Sequence, residues 1–288
     1  MLWVNLVEDG SMSDVTIDLD GYFERIGYGG GAVPTLETLQ ALVTHHTRTI
    51  PFENLNPLLG RPVKIDVASL EEKLVHNGRG GYCFEQNGLF SAVLKQLGYA
   101  VTDLAARVVI GREAEAPAAL THQFIRVDLD GHPYMVDVGF GGMTLPSPIR
   151  FDVEGAQETL LEPYRLVQRS EVYWLEALVM DEWRPMYRFR MQGRERMDYV
   201  VGNWYVSTHP ESGFVTGLTA ARLADGQRFA LRNGRFSIHT LGEESEIRKL
   251  EDVEAVLDVL ENVMGITLPQ NWGLAERVHQ LLNEQAES

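Results

Sequence analysis

Only one cysteine occurs in the 288 residues, Cys83, so no internal disulfide can form. That fits a reducing compartment, and the chain reads as cytoplasmic. Long apolar runs are also missing: no segment approaches the ~18 residues that suggest a membrane span. An excess of cations is missing too. Lys and Arg number 25 against 41 Asp and Glu, a formal net charge of −16 that repels nucleic acid and anionic membrane surfaces. The opening stretch, MLWVNLVEDGSMSDVTIDLD, has no basic region followed by an apolar core, so no targeting signal is read in it. Gly10–Met12 instead reads as a join or a second start at Met12. No internal repeat or low-complexity segment occurs. What is present is ordinary: hydrophobic residues at 44% and charged residues at 23% describe a folded protein, long enough for two or three packed units.

The first hundred residues carry helical periodicity. In PTLETLQALVTHH, Thr35 reads as a cap, and Leu36, Leu39, Leu42 and Val43 fall on one stripe. ASLEEKLVHNG places Leu70 and Leu74 on a face, with Gly78 as a stop. NGLFSAVLKQLG aligns Leu89, Phe90, Val93, Leu94 and Leu97 and ends at Gly98. Cys83 therefore sits at or just before the start of a helix with a buried face. The glycine loop GYGGGAVP follows no clear strand and is not a nucleotide fingerprint. From about Tyr99 the pattern changes to short β-branched or aromatic runs: AARVVIG, HQFIRVDL, PYMVDVGF, YRLVQ and VYWLEALV. After Thr208 to Phe214 comes a mixed region with helical stretches near Val253 to Met264 and Leu274 to Leu282.

Asp130-Gly131, between two alternating runs, predicts a two-residue hairpin turn, because both central residues of such a turn need positive φ. The turn fixes the register. With Leu129 opposite His132, Phe124 falls opposite Asp137, and His122 lies diagonally from Asp137 on the same face, at ~7–8 Å between backbone positions. A carboxylate can then hold one ring nitrogen of the imidazole and leave the other as a base. Cys83 is the candidate nucleophile for that base. A helix start favours thiolate over thiol, and the glycines before it allow close approach. Each residue has a plainer reading: Cys83 as a small buried hydrophobe, His122 as a satisfied strand histidine, Asp137 as a solvated strand residue. Composition and spacing alone leave both readings open.

RGGYCFEQN, Arg79 to Asn87, resembles the RGGxCxExN signature of the arylamine N-acetyltransferases. IPFENL (Ile50 to Leu55), THQFIRVDLDGHPYMVDVGFGG (Thr121 to Gly142) and NWYVSTHPESGF (Asn203 to Phe214) resemble further blocks of that family. The likeness runs from about Tyr22 to Met264, with no departure at the motif positions. It implies an α+β fold in three parts: a helical bundle (1–98, with Cys83), a β-barrel (99–205, with His122 and Asp137) and an α/β lid (206–288). The first two would be arranged as in papain-like cysteine proteases.

The implied activity is transfer of an acetyl group from acetyl-CoA, as co-substrate, to an arylamine, arylhydrazine or arylhydroxylamine, by a ping-pong route and without a metal. Cys83 would carry the acetyl group, His122 would handle protons, and Asp137 would orient the imidazole. Phe52 and Phe140 resemble positions lining the amine pocket, and plain core packing is their alternative. Gly141, within GFGG, would let the pantetheine arm of coenzyme A approach. Thr208 resembles a coenzyme-A contact, and each of these two also reads as a turn residue. Arg79 reads either as a phosphate contact or as a brace of the catalytic loop through Glu53 or Glu85, and the brace is the better fit. The partners implied are small molecules, with no nucleic acid or membrane; a homodimer is compatible with the sequence. A cysteine hydrolase or transglutaminase-like enzyme could use the same three residues, as could an inactive binding protein of this fold.

Overall fold

The structure is a computed structural model that describes residues 16–113 and 115–286; the suspected join at Gly10–Met12 lies outside them. The chain begins with helices α1 (Leu19–Ile26) and α2 (Leu36–Thr49), the two-residue strand β1 (Phe52–Glu53), and the short helices α3 (Leu55–Leu58) and α4 (Val67–Glu71). A π-helical turn, Glu72–His76, extends α4, and α5 (Cys83–Gln96) follows. Side-chain caps set the starts. Asp18 accepts from the Gly21 amide, Thr35 from Thr38 and Asp66 from Ser69, each answering an amide with no partner inside its helix. Leu89, Phe90, Val93 and Leu94 of α5 pack on Leu39, Leu42 and Val43 of α2, the stripe expected from the periodicity. Each such side chain, fully buried, contributes ~1.5–3 kcal/mol.

Seven antiparallel strands come next: β2 (Ala100–Val108), β3 (His122–Leu129), β4 (His132–Val136), β5 (Ile149–Arg150), β6 (Tyr164–Arg169), β7 (Val172–Val179) and β8 (Glu182–Phe189). Their order is β5-β4-β3-β2-β8-β7-β6. The edges β5 and β6 are drawn together by Gln157. Its backbone exchanges both hydrogen bonds with Tyr164, and its side-chain amide clips the backbone N–H and carbonyl of Arg150 at 2.8 and 2.9 Å. The sheet thereby becomes a nearly closed barrel, filled by Leu104, Phe124, Met135, Tyr187 and Phe189 among others.

Two elements lie outside the strands and helices read from the sequence. Pro185 argues against a strand over EWRPMYRF, yet β8 is central. Pro185 pairs with Glu176 beside the irregularity at Leu175/Glu176, and β2 stops at the Val108–Tyr187 pair, so no ladder bond to β2 is lost there. The second is α6 (Arg196–Thr208), where Tyr199, Gly202, Asn203 and Val206 turn inward at helical spacing. Residue 205, where the sequence reading divides the second part from the third, lies within this helix.

The remaining chain forms α7 (Gly213–Thr216), strands β9 (Thr219–Ala224), β10 (Gln227–Arg232), β11 (Arg235–Thr240) and β12 (Glu246–Lys249), then α8 (Val253–Asp258) with a π turn Val259–Val263, and α9 (Leu274–Ala286). The strands form a second sheet with β1 at one edge, in the order β1-β9-β10-β11-β12. Because β1 comes from the helical part, this sheet ties the third part of the α+β fold back to the first. Leu218, Leu231 and Phe236 pack there with Val256, Leu260, Val278 and Leu281. Among the described residues no helix is long and apolar enough to cross a membrane.

Candidate active site

The Asp130-Gly131 turn forms as expected, with φ of 51° and 80°, and the register Leu129↔His132 continues to Ile125↔Val136. His122 starts β3 and Asp137 directly follows β4, on one face of the pair. Their side chains meet: His122 Nε2 lies 2.7 Å from Asp137 Oδ2. Asp137 is 1% exposed and fully engaged. Oδ2 also accepts from the Tyr187 hydroxyl at 2.8 Å, while Oδ1 accepts from Asn87 Nδ2 at 2.9 Å and the Gly139 amide at 3.1 Å. Asn87 is held in turn by the Gln123 carbonyl and the Val138 amide. A buried carboxylate engaged by this many donors is held in one orientation.

Cys83 is the first residue of α5 and 5% exposed. Glu85 reaches back so that its Oε2 accepts the Tyr82 amide at 3.1 Å, which shapes the backbone entering the helix. With Nε2 committed to Asp137, Nδ1 of His122 is the ring nitrogen left to interact with Cys83, whose proximity helps to raise the imidazole. The thiol also points toward the Thr121 carbonyl, 3.6 Å away. Burial works against an imidazolium here, but the charge and hydrogen bond of Asp137, followed by those of Cys83, outweigh it and push His122 up to about 10.

That shift carries a prediction for stability. The folded pKa lies above the ordinary 6.5, so the contribution of His122 is complete below pH ~6.5 and disappears as pH rises through about 10. The difference in denaturation midpoint between the wild type and His122→Gln should therefore shrink steadily from pH 6.5 to 10. A difference that grows over this range contradicts the buried ion pair.

Four aromatic rings frame these groups. Phe140 stands edge-on to His122 with ring centroids 5.0 Å apart, Tyr187 lies 4.8 Å from the imidazole, and Phe124 stacks on it at 6.4 Å. Phe52 shares an apolar cluster with Cys83 and Tyr82 and meets Phe214 edge-on. Gly141 opens a short 3-10 turn, at φ +75°, with its Cα hydrogens toward the Phe52 ring. Thr208, by contrast, is exposed at the end of α6, its hydroxyl bonded to the Trp204 carbonyl at 2.5 Å.

The structure brings Arg79 to Glu53, at 2.6 Å, and gives Glu85 to Lys73, also at 2.6 Å. Burial opposes the charge on Glu53, yet Lys73 and Arg79 together hold its carboxyl below the usual range. Burial, with the repulsion of Glu53, pushes Glu85 up, and Lys73 and the Tyr82 amide only partly offset this. Asn87 and Tyr187 escaped the sequence reading. Asn87 lies in the RGGYCFEQN stretch at Cys83 + 4, one helical turn on, which is a usable signal; Tyr187 has none, since its approach depends on barrel closure.

The family described as N-acetyltransferase matches residues 35–272. The chain belongs to the arylamine N-acetyltransferase family. It is 46% identical to the arylamine N-acetyltransferase of Mycobacterium tuberculosis (strain ATCC 25618 / H37Rv) over 278 residues, covering 94% of this chain and 98% of that one. A Salmonella typhimurium relative, named arylamine N-acetyltransferase / N-hydroxyarylamine O-acetyltransferase, is 37% identical over 253 residues, 88% of this chain and 90% of its own. The solved structure of the Mycobacterium marinum arylamine N-acetyltransferase in complex with CoA superposes with a TM-score of 0.88 at 46% identity, covering 92% of this chain and 99% of that one. As an arylamine N-acetyltransferase the chain is an acyltransferase, and its cysteine, histidine and aspartate all lie inside the matched residues.

Proposed function

We propose that the chain transfers an acetyl group from acetyl-CoA to the nitrogen or oxygen of arylamines, arylhydrazines and arylhydroxylamines through an S-acetyl-Cys83 intermediate. The observation that carries this is the buried Cys83–His122–Asp137 arrangement at the start of α5. The family relation supplies the acyl chemistry. Cys83 sulfur, as thiolate, forms a bond to the thioester carbonyl carbon. Collapse of the tetrahedral adduct breaks the bond to the sulfur of coenzyme A, which takes the proton of the His122 imidazolium as it leaves. One thioester has replaced another, so the acetyl group stays activated.

In the second half the amine nitrogen attacks the acetyl carbon, His122 accepts the proton from nitrogen, and the Cys83 thiolate departs with the imidazolium restored beside it. Asp137 stabilises that cation through Nε2 throughout. Amides at the start of α5 supply the oxyanion donors, aided by the positive end of the helix. The Val138 amide is excluded from that role because it donates to Asn87 Oδ1. Phe52 and Phe140 wall the amine pocket, and Gly141 and Thr208 fall to the coenzyme A side.

Initial rates measured against acetyl-CoA at several fixed arylamine concentrations test this scheme. Parallel double-reciprocal lines are expected; intersecting lines would mean direct transfer within a ternary complex. A second test concerns Gly139, where an added Cβ would lie 2.9 Å from both Cys83 Cα and Asn87 Nδ2. Gly139→Ala should displace the loop from the nucleophile and lower kcat/KM by about 10²-fold, the order expected for a misplacement near 1 Å. Unchanged kcat/KM would show that this contact does not position Cys83.

A further inference from the structure

A cavity of about 410 Å³ lies behind the catalytic loop, between the end of α4, the chain after α3 and the segment leading into α9. Neither Cys83 nor His122 lines it. Three cationic side chains do: Lys64, Lys73 and Arg79, with Glu85 as the acid among them. Lys73 lies 2.6 Å from Glu85 and 3.7 Å from Glu53. Arg79 is only 6% exposed, and its Nε and Nη2 are committed to Glu53 and Asn56. Its Nη1 makes no hydrogen bond to the described residues, which leaves donors there for a group in the cavity. Lys64 is exposed at the rim and forms no ion pair among the described residues.

Lys64 has Asp66 near it as an acid, and the free donors on Lys64, Lys73 and Arg79 still leave the cavity wall with hydrogen bonds to offer an anion. Its volume far exceeds what a bare phosphate needs, and beside polar groups such as Asn77 and Gln270 the wall carries an apolar portion made by Val63, Leu268 and Trp272. The Trp272 ring also holds the guanidinium groups of Arg61 and Arg79, each 5.3 Å from its centroid, which keeps Arg79 against this wall. We propose that this cavity binds a small organic phosphate, its phosphoryl group among Arg79, Lys73 and Lys64 and its apolar body against Leu268 and Trp272. Occupancy bears on the nucleophile. Lys73 is the cation that steadies Glu85, and Glu85 holds the Tyr82 amide immediately before Cys83. A phosphoryl group that draws Lys73 toward itself loosens that hold and alters the reactivity of Cys83.

Phenyl phosphate, titrated by calorimetry against the full chain, should bind saturably, about tenfold tighter than inorganic phosphate and about tenfold weaker to Lys64→Glu. Lys64 is exposed, and the melting curve of the variant without ligand serves as the folding control. Coenzyme A should not displace the probe. At saturation the rate of Cys83 alkylation by iodoacetamide should change by about threefold or more, a shift in local hydrogen bonding of the usual size. Absence of saturable binding, equal binding by Lys64→Glu, or displacement by coenzyme A overturns the site. Equal affinity for inorganic phosphate overturns the assignment of an organic ligand, and unchanged alkylation overturns the link to Cys83.

Discussion

Cys83→Ala is expected to lower arylamine acetylation by about 10⁴-fold or more, to the level left by binding without a nucleophile. The argument rests on the absence of a substitute. Cys83 is the only cysteine in the chain, and His122 and Asp137 are committed to each other. Alanine keeps the helix start intact and removes little more than the sulfur, so secondary structure and melting should stay close to wild type, with a loss of about 1 kcal/mol from the small void. A variant that folds and still acetylates arylamines within tenfold of wild type would remove Cys83 from the mechanism. Cys83→Ser keeps a nucleophilic atom in place but raises its pKa out of reach of an imidazole, and the same assay should find it nearly as inactive.

Asp137→Asn should lower kcat/KM by about 10³–10⁴-fold, although the side chain barely changes shape. Asp137 accepts from His122, Tyr187, Asn87 and Gly139, and an amide can offer an oxygen to only one of these two pairs. The other pair then faces an N–H₂ group. If that pair includes His122, its Nε2 must give up its proton to accept, and the remaining proton sits on Nδ1, toward Cys83. The base is then lost. Leaving buried donors unpaired should also cost about 1–3 kcal/mol of stability. Removing Asp137, the largest influence that raises the imidazole, leaves only Cys83 to oppose burial, so the His122 pKa should fall well below about 10. NMR titration of the His122 ring in the two proteins reads this directly. A pKa that stays raised in Asp137→Asn would assign the shift to another neighbour.

Much of the candidate site was legible in the sequence because it rests on local chemistry. The Asp130-Gly131 turn sets a register, and a register decides which side chains share a face, so His122 and Asp137 could be paired without any distance. Likewise the periodicity of Leu89, Phe90, Val93 and Leu94 located the start of α5, and with it Cys83. The same logic fails where a contact depends on closure of the whole barrel. Tyr187 reaches Asp137 across 50 residues, and only after β8 has joined β2. Gln157, which clips the barrel edges together, looks like any polar loop residue. In α6 the run of β-branched residues around Gly202 obscures a helix whose inward face is set by packing on Phe84 and Tyr82. The Lys73–Glu85 pair was hidden for a related reason, since two acids and two bases within one cluster can pair in more than one way until the backbone places them.

The central claim is that Cys83 holds the acetyl group between two substrates, and intact-mass spectrometry of the protein after brief exposure to acetyl-CoA without amine tests it most directly. The predicted result is a gain of one acetyl group, mapped to the Cys83 peptide, absent in Cys83→Ala and discharged when an arylamine is added. Full-rate formation of acetylated arylamine with no acetyl-protein detectable at any time would contradict it.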